Sequence, residues 1–184
     1  MRIISGTLRG LRLKSPKSMN IRPTSDRVKE SVFNIINSNI ADSFVLDLFS
    51  GTGSLGIECL SRGAYSCTFV DNSKESISIL KENLNKARML QKSDIIFSDV
   101  ISALNKLAVK RDRFDIIFMD PPYLKKLIIP ALETISKSEI LEEDGIIIVE
   151  HDSKDVIPDK VGNLTKYREK QYSSTKISFF KWSE

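Results

Sequence analysis

Val45-Leu46-Asp47-Leu48-Phe49-Ser50 runs directly into Gly51-Thr52-Gly53-Ser54-Leu55-Gly56. An apolar strand that ends in a glycine-rich turn and opens a helix is the first unit of a parallel α/β sheet. The rest of the chain repeats that alternation. Strands are expected at Phe44–Leu48, Cys67–Val70, Asp94–Phe97, Phe114–Met119 and Ile146–Val149. Helices are expected between them near Ser54–Ser61, Ser73–Ala87, Val100–Leu107 and Ala131–Ser136. In the second of these, Ile77, Leu80, Leu84 and Ala87 form one apolar face. Strands apolar on both sides and separated by helices imply a mainly parallel sheet with helices on each face. Thr165–Tyr172 and Lys176–Trp182, joined by Ser173-Ser174-Thr175, read as an antiparallel C-terminal hairpin, which brings the sheet to seven strands. No internal repeat or linker divides the chain, so one domain over 1–184 is expected.

The N-terminal region differs in kind. Ile3-Ile4 and Leu11-Arg12-Leu13 flank Gly6 and Gly10 and read as a short β-hairpin, followed by an extended connector through Pro16 to Arg22. After Pro23, Thr24 or Ser25 can cap a helix carrying Val28, Val32, Ile35 and Ile36 at helical spacing. The whole chain carries +4, but residues 1–29 carry +7 and the remainder −3. That asymmetry points to a polyanionic partner, nucleic acid being the commonest, although a solvated basic tail would show the same charge. Cys59 and Cys67 lack metal-ligand spacing and His151 is the single histidine, which argues against a disulfide framework or a zinc site. No apolar run approaches the roughly 20 residues of a membrane span, and the first residues lack a signal-peptide core. A cytoplasmic location without a membrane partner is therefore expected.

The glycines of residues 51–56 let a ligand approach the backbone, and the helix that follows offers free N–H groups. Asp71 ends the second strand, where an acidic side chain can hold ribose hydroxyls. The pattern alone suits NAD, FAD or S-adenosylmethionine (SAM). Asp47 shifts the choice. A pyrophosphate at the turn would be repelled by a carboxylate four residues upstream of Gly51, whereas the ammonium and sulfonium of SAM are attracted to one.

Phe114–Met119 delivers Asp120-Pro121-Pro122-Tyr123 to the carboxyl edge of the sheet, where open α/β sheets hold their ligands. This string suits methyl transfer to an exocyclic amine, a poor nucleophile because its lone pair is delocalised into the base. The Asp120 carboxylate and a carbonyl of the prolyl turn can accept the two N–H bonds and localise that lone pair. Two prolines fix the acceptors, and Tyr123 offers a face on which an extruded base can stack. The sulfonium already activates the methyl group, so no metal is required.

These motifs resemble those of class I SAM-dependent amino-methyltransferases, whose core is Rossmann-like. Arg2-Ile3-Ile4-Ser5-Gly6-Thr7-Leu8-Arg9-Gly10 and Arg22-Pro23-Thr24-Ser25-Asp26-Arg27-Val28 look like the start of the RsmD family, and the resemblance spans essentially the whole chain. It implies methylation of a guanine N2 in 16S ribosomal RNA, with the RNA or the small ribosomal subunit as partner and SAM as methyl donor. It further implies that Asp47, Gly51 and Gly53 line the amino-acid end of SAM, with Phe49 in the same site. Asp71 and Asn72 would take the ribose, Asp99 would face the adenine, and Asp120, Pro121, Pro122 and Tyr123 would hold the guanine. The RNA-binding candidates are Arg9, Arg12, Lys14, Arg22 and Arg27. Phosphate contact is expected before Arg22, and a site-organising role from Arg22 to Val28. DNA enzymes with this prolyl motif usually carry a recognition domain for which 184 residues leave no room, so RNA is expected, and a monomer.

Other residues read more plainly. His151 follows an apolar strand and is expected to be structural, since the released proton can go to water. Cys59 and Cys67 read as small core residues. Phe179, Phe180 and Trp182 are expected to pack the last hairpin. Lys125-Lys126, just past Tyr123, are candidates for phosphate contact; Lys110-Arg111 and Arg113 fit a solvated loop equally well. Two competing functions share these features: an adenine-N6 methyltransferase acting on DNA or RNA, and a non-catalytic RNA-binding module.

Overall fold

The structure, a computed structural model, describes residues 1–16, 26–122 and 126–183. Among these, eight strands form one sheet: β1 (Phe44–Leu48), β2 (Ser66–Asp71), β3 (Ser93–Phe97), β4 (Phe114–Met119), β5 (Leu141–Asp152), β6 (Lys160–Val161), β7 (Leu164–Tyr172) and β8 (Thr175–Trp182). Their order is β3-β2-β1-β4-β5-β8-β7-β6. The first five in that row are parallel, and β8, β7 and β6 pair antiparallel. The expected seven strands are thus eight, because Lys160–Val161 adds a two-residue strand too short to leave a periodic signal.

Successive side chains of a strand point to opposite faces, and here each face has its own core. Val45, Phe69, Ile116, Phe118, Ile146 and Ile148 pack on one side, under α1 (Asp26–Ile35), α2 (Ser54–Ser61) and α3 (Lys74–Ala87). Leu46, Val70, Ile117, Met119, Ile147 and Val149 pack on the other, under α4 (Val100–Lys110) and α5 (Ile128–Ser138). Ile77, Leu80, Leu84 and Ala87 are buried, as the spacing in that segment predicts.

Element ends depart from expectation for local reasons. α5 begins at Ile128, not Ala131, because Pro130 sits in its first turn, where the missing N–H has no partner to lose. β5 runs from Leu141 to Asp152 because Leu141 pairs with Phe114 across a register shift, and His151 and Asp152 pair with Lys176 and Thr175. α4 continues to Lys110 before Arg111 closes it in the left-handed conformation.

The N-terminal segment is not a free arm. Its hairpin reduces to an isolated bridge between Arg2 and Arg12, too short a ladder to form strands. Ile3 and Leu13 are buried in the core beneath it. The Ile4 and Ser5 N–H groups donate to Glu58 of α2 at 2.8 and 2.9 Å, and the Leu8 N–H donates to Ser61 Oγ at 2.9 Å. Gly6 (φ +81°) lies so close to Ser61 that a Cβ there would fall 1.9 Å from the Ser61 carbonyl oxygen. Lys29 of α1 completes the joint. Its ammonium lies 3.0 Å from Glu58, donates to Ser54 Oγ at 3.1 Å and reaches the Arg2 carbonyl at 3.3 Å. Burial lowers the Lys29 pKa, and Glu58 opposes that shift. Arg22, Pro23, Thr24 and Ser25 lie outside the described residues, as do Tyr123 and Lys125.

Candidate active site

The chain lays down β1, β2 and β3 in one direction and then returns to place β4 beside β1. At such a reversal the loops after two adjacent strands diverge and leave a crevice at the carboxyl edge. The turn after β1 fills one side of it. Phe49, Gly51 and Gly53 all adopt positive φ (+61°, +52° and +81°). Gly53 is favoured by its left-handed φ, and a Cβ there would also press on Leu80 Cδ1 at 2.4 Å. Gly51 faces the open side, where a Cβ would meet nothing nearer than the Phe49 carbonyl oxygen at 4.0 Å.

Carboxylates brace this turn. The Gly56 N–H donates to Asp47 at 3.0 Å, and the two Asp71 oxygens accept from the Gly51 and Ser73 N–H groups, both at 2.8 Å. The Ser98 N–H donates to the Asp71 carbonyl at 3.2 Å, which brings the loop after β3 alongside. In that loop Asp99 caps α4, accepting from the Ser102 N–H at 2.9 Å, and this bond lowers its pKa. Asn72 stands exposed beside Asp71.

On the other side of the crevice, half-buried Asp120 follows β4 and opens the prolyl turn. Burial pushes its carboxyl well above the usual range, and the charges of Glu150 and Asp47 push it further. Asp47 is itself raised to about 7, chiefly by burial and also by Asp71, while the Gly56 N–H and Lys29 oppose the shift. Asp47 and Glu150, on the strands that flank β4, thus both bear on Asp120 at the sheet edge. Glu150, buried and acting on Asp120, is a candidate absent from the motifs; its sequence signal is an acid directly after the apolar run Ile146–Val149. Ser50 Oγ, buried in the glycine turn, has no hydrogen-bond partner among the described residues. A cationic ligand with polar groups fits this donor set, and a pyrophosphate does not.

The remaining candidates divide. His151 is buried and engaged on both ring nitrogens, with the Asp152 carbonyl at 3.0 Å and Ser178 Oγ at 2.9 Å, and burial lowers its pKa toward the neutral ring. Arg9, Arg12, Lys14 and Arg27 are exposed. Lys14 already pairs with Glu82 at 2.7 Å and Arg2 with Asp26 at 2.8 Å, so part of the N-terminal charge is matched internally. Cys59 and Cys67 are buried free thiols, and burial raises both pKa values. Among the described residues no group of three or more His, Cys, Asp or Glu could hold a metal ion. No helix among them is long and apolar enough to cross a membrane.

An acid-lined glycine turn at the switch point of this sheet defines a class I SAM-dependent methyltransferase. A family model described as "Conserved hypothetical protein 95" matches residues 1–181. The chain belongs to this family, the RsmD family of methyltransferases. YlbH of Bacillus subtilis is 39% identical over 181 residues, 98% of each chain. The Escherichia coli K12 ribosomal RNA small subunit methyltransferase D is 33% identical over 170 residues, 92% of this chain and 84% of its own. Among solved structures, yhhF of Escherichia coli superposes with a TM-score of 0.87 at 29% identity, over 100% of this chain and 98% of that one.

Proposed function

We propose that the protein methylates ribosomal RNA of the small subunit, on the exocyclic N2 amine of a guanine. The observation that carries the chemistry is Asp120, a half-buried carboxylate opening a doubly prolyl turn opposite the glycine turn. The substrate class is supported by the relatives named for small-subunit rRNA. When bound, SAM supplies an electrophilic methyl group on a positive sulfur.

The chain's own residues do the rest. Asp47, Phe49, Gly51 and Gly53 form the pocket for the amino-acid end, and the raised Asp47 carboxyl ionises when an ammonium arrives. Asp71 and Asn72 take the ribose, and Asp99 lies toward the adenine. Asp120 and a carbonyl of the prolyl turn accept the two amine N–H bonds, which localises the nitrogen lone pair and aims it. Pro121 and Pro122 hold those acceptors still, and Tyr123 stacks on the base. As the nitrogen gains its methyl carbon it must shed a proton. That proton passes to water, while Asp120 stays in place as the acceptor that orients the amine. Arg9, Arg12, Lys14, Arg22 and Arg27 grip flanking phosphates, so that the target base can be splayed out.

The test is incubation with labelled SAM and, separately, naked rRNA, small ribosomal subunits or duplex DNA, followed by nucleoside mass spectrometry. N2-methylguanosine from either RNA sample is expected. N6-methyladenosine, or no transfer to any of the three, would overturn the reading.

A further inference from the structure

A cleft of about 440 Å³ opens behind the prolyl turn, between Pro121 and Pro122, the start of α5 at Leu127 and Ile128, and the loop after β5 at Asp155 and Ile157. That volume lies in the range of small-ligand sites, and its walls are mainly apolar, as the faces of a nucleobase require. Val156 on its rim is 89% exposed, an apolar side chain that a seated base would cover. His151 also lines the cleft, but both its ring nitrogens are already bonded, to the Asp152 carbonyl and to Ser178. Asp155 differs. Its N–H donates to the Asp152 carbonyl at 3.0 Å, while its carboxylate makes no hydrogen bond or salt bridge among the described residues and bears on the neighbouring His151 ring through its charge.

We infer that Asp155 is the specificity-determining residue that makes the target a guanine, an inference resting on the function proposed above. Guanine carries an N1–H donor next to its N2 amine. With the amine held at the prolyl turn, the adjoining N1–H faces the cleft, where a carboxylate accepts it. An adenine held by its N6 amine in the same way presents N1 as a lone pair, which a carboxylate repels. A site built to bond a donor rejects the analogue that lacks it far more strongly than an apolar pocket rejects a changed shape. Lys126, also lining the cleft, supplies a cation for the phosphate of the seated nucleotide.

The probe is an RNA hairpin carrying the methylated position, as mapped by mass spectrometry, with either guanine or 2-aminopurine there. 2-Aminopurine keeps the N2 amine but has a lone pair at N1. The wild-type protein should methylate the guanine hairpin at least about tenfold more efficiently, measured as kcat/KM. Asp155→Asn, nearly isosteric and able to donate from its amide, should lose about tenfold on guanine and shrink or reverse that preference. SAM affinity, measured by calorimetry, should stay at its wild-type value and show that the variant is folded. Equal rates on the two hairpins with wild-type protein, or an unchanged preference in Asp155→Asn, would overturn the role of Asp155 while leaving guanine methylation standing. A product methylated on adenine would overturn both.

Discussion

The Lys29 ammonium meets the Glu58 carboxylate at 3.0 Å with both side chains excluded from water. The two ions are not equally supported. Glu58 also accepts from the Ile4 and Ser5 N–H groups and from Arg62 Nε at 2.9 Å. Lys29 relies on Glu58, one hydroxyl and one carbonyl. Removing Glu58 therefore strands a buried cation and two backbone donors, whereas removing Lys29 leaves a carboxylate that keeps three donors. Glu58→Leu should lower unfolding stability by about 3–5 kcal/mol, the usual loss when one member of a buried pair goes. Lys29→Met should cost distinctly less. Urea denaturation of the two variants decides it, and equal losses would refute the asymmetry.

Asp71 joins two loops through its oxygens, and the ribose role proposed for it must share them. Asp71→Ala should weaken SAM binding by about 1–3 kcal/mol in calorimetry and also lower Tm. Asp71→Asn keeps one acceptor oxygen and should recover part of the thermal stability. Unchanged SAM affinity in a folded Asp71→Ala variant would remove Asp71 from the cofactor site.

Asp120→Ala should reduce turnover by at least about 10²-fold, the scale for losing a preorganised electrostatic group. Its SAM affinity should change far less, because the bonds proposed for Asp120 are to the amine. Single-turnover rates at saturating SAM separate the two effects. Near wild-type rates would exclude the mechanism.

The Asp47 carboxyl has a folded value of about 7 against an ordinary 3.8. A carboxyl raised on folding contributes stability that is fully present below about pH 4 and is lost as pH rises through about 7. The upper bound on that loss is about 4 kcal/mol for a group so deeply buried. A cation beside Asp47 reverses the penalty, since it favours the ionised form. The rise in Tm produced by saturating SAM should therefore be larger at pH 8 than at pH 6, and Asp47→Asn should abolish that difference. Thermal melts with and without SAM at the two pH values are the measurement, and a pH-independent increment would refute the assignment.

Arg9 and Arg12 stand exposed on a segment bolted to α2, whereas Lys14 is engaged with Glu82. Neutralising Arg9, Arg12 and Lys14 together should weaken RNA binding and flatten its salt dependence. The slope of log K against log salt should fall by about 0.7–0.9 for each phosphate no longer neutralised. SAM binding should survive. An unchanged slope would move docking elsewhere on the protein.

Much of this architecture is legible in the sequence because burial on both sides makes a central strand continuously apolar. Phe114–Met119 has the bounds in the structure that its apolar run predicts. The glycine turn and Asp71 are legible for a related reason, since their chemistry lies within one βα unit. β5 is read too short because Glu142, Glu143 and Asp144 look like a loop, while pairing across a register shift carries the strand through them. Glu58 left no trace at all. It sits within a short, mostly buried helix, and its backbone donors lie 53 and 54 residues away, where no local pattern reaches. The paired state of Lys14 is hidden likewise, because Glu82 is 68 residues distant.

The attachment of residues 3–8 to α2 has a kinetic side. Each of those bonds closes a loop of more than fifty residues, and loop closure must precede any gain from the interaction. During synthesis the opening segment has nothing to hold until Glu58 and Ser61 have emerged and α2 has formed on β1 and β2. The first residues made are thus among the later ones to dock. Until they do, Glu58 lacks its two backbone donors and Lys29 lacks the Arg2 carbonyl, so the buried ion pair forms before its surroundings are complete.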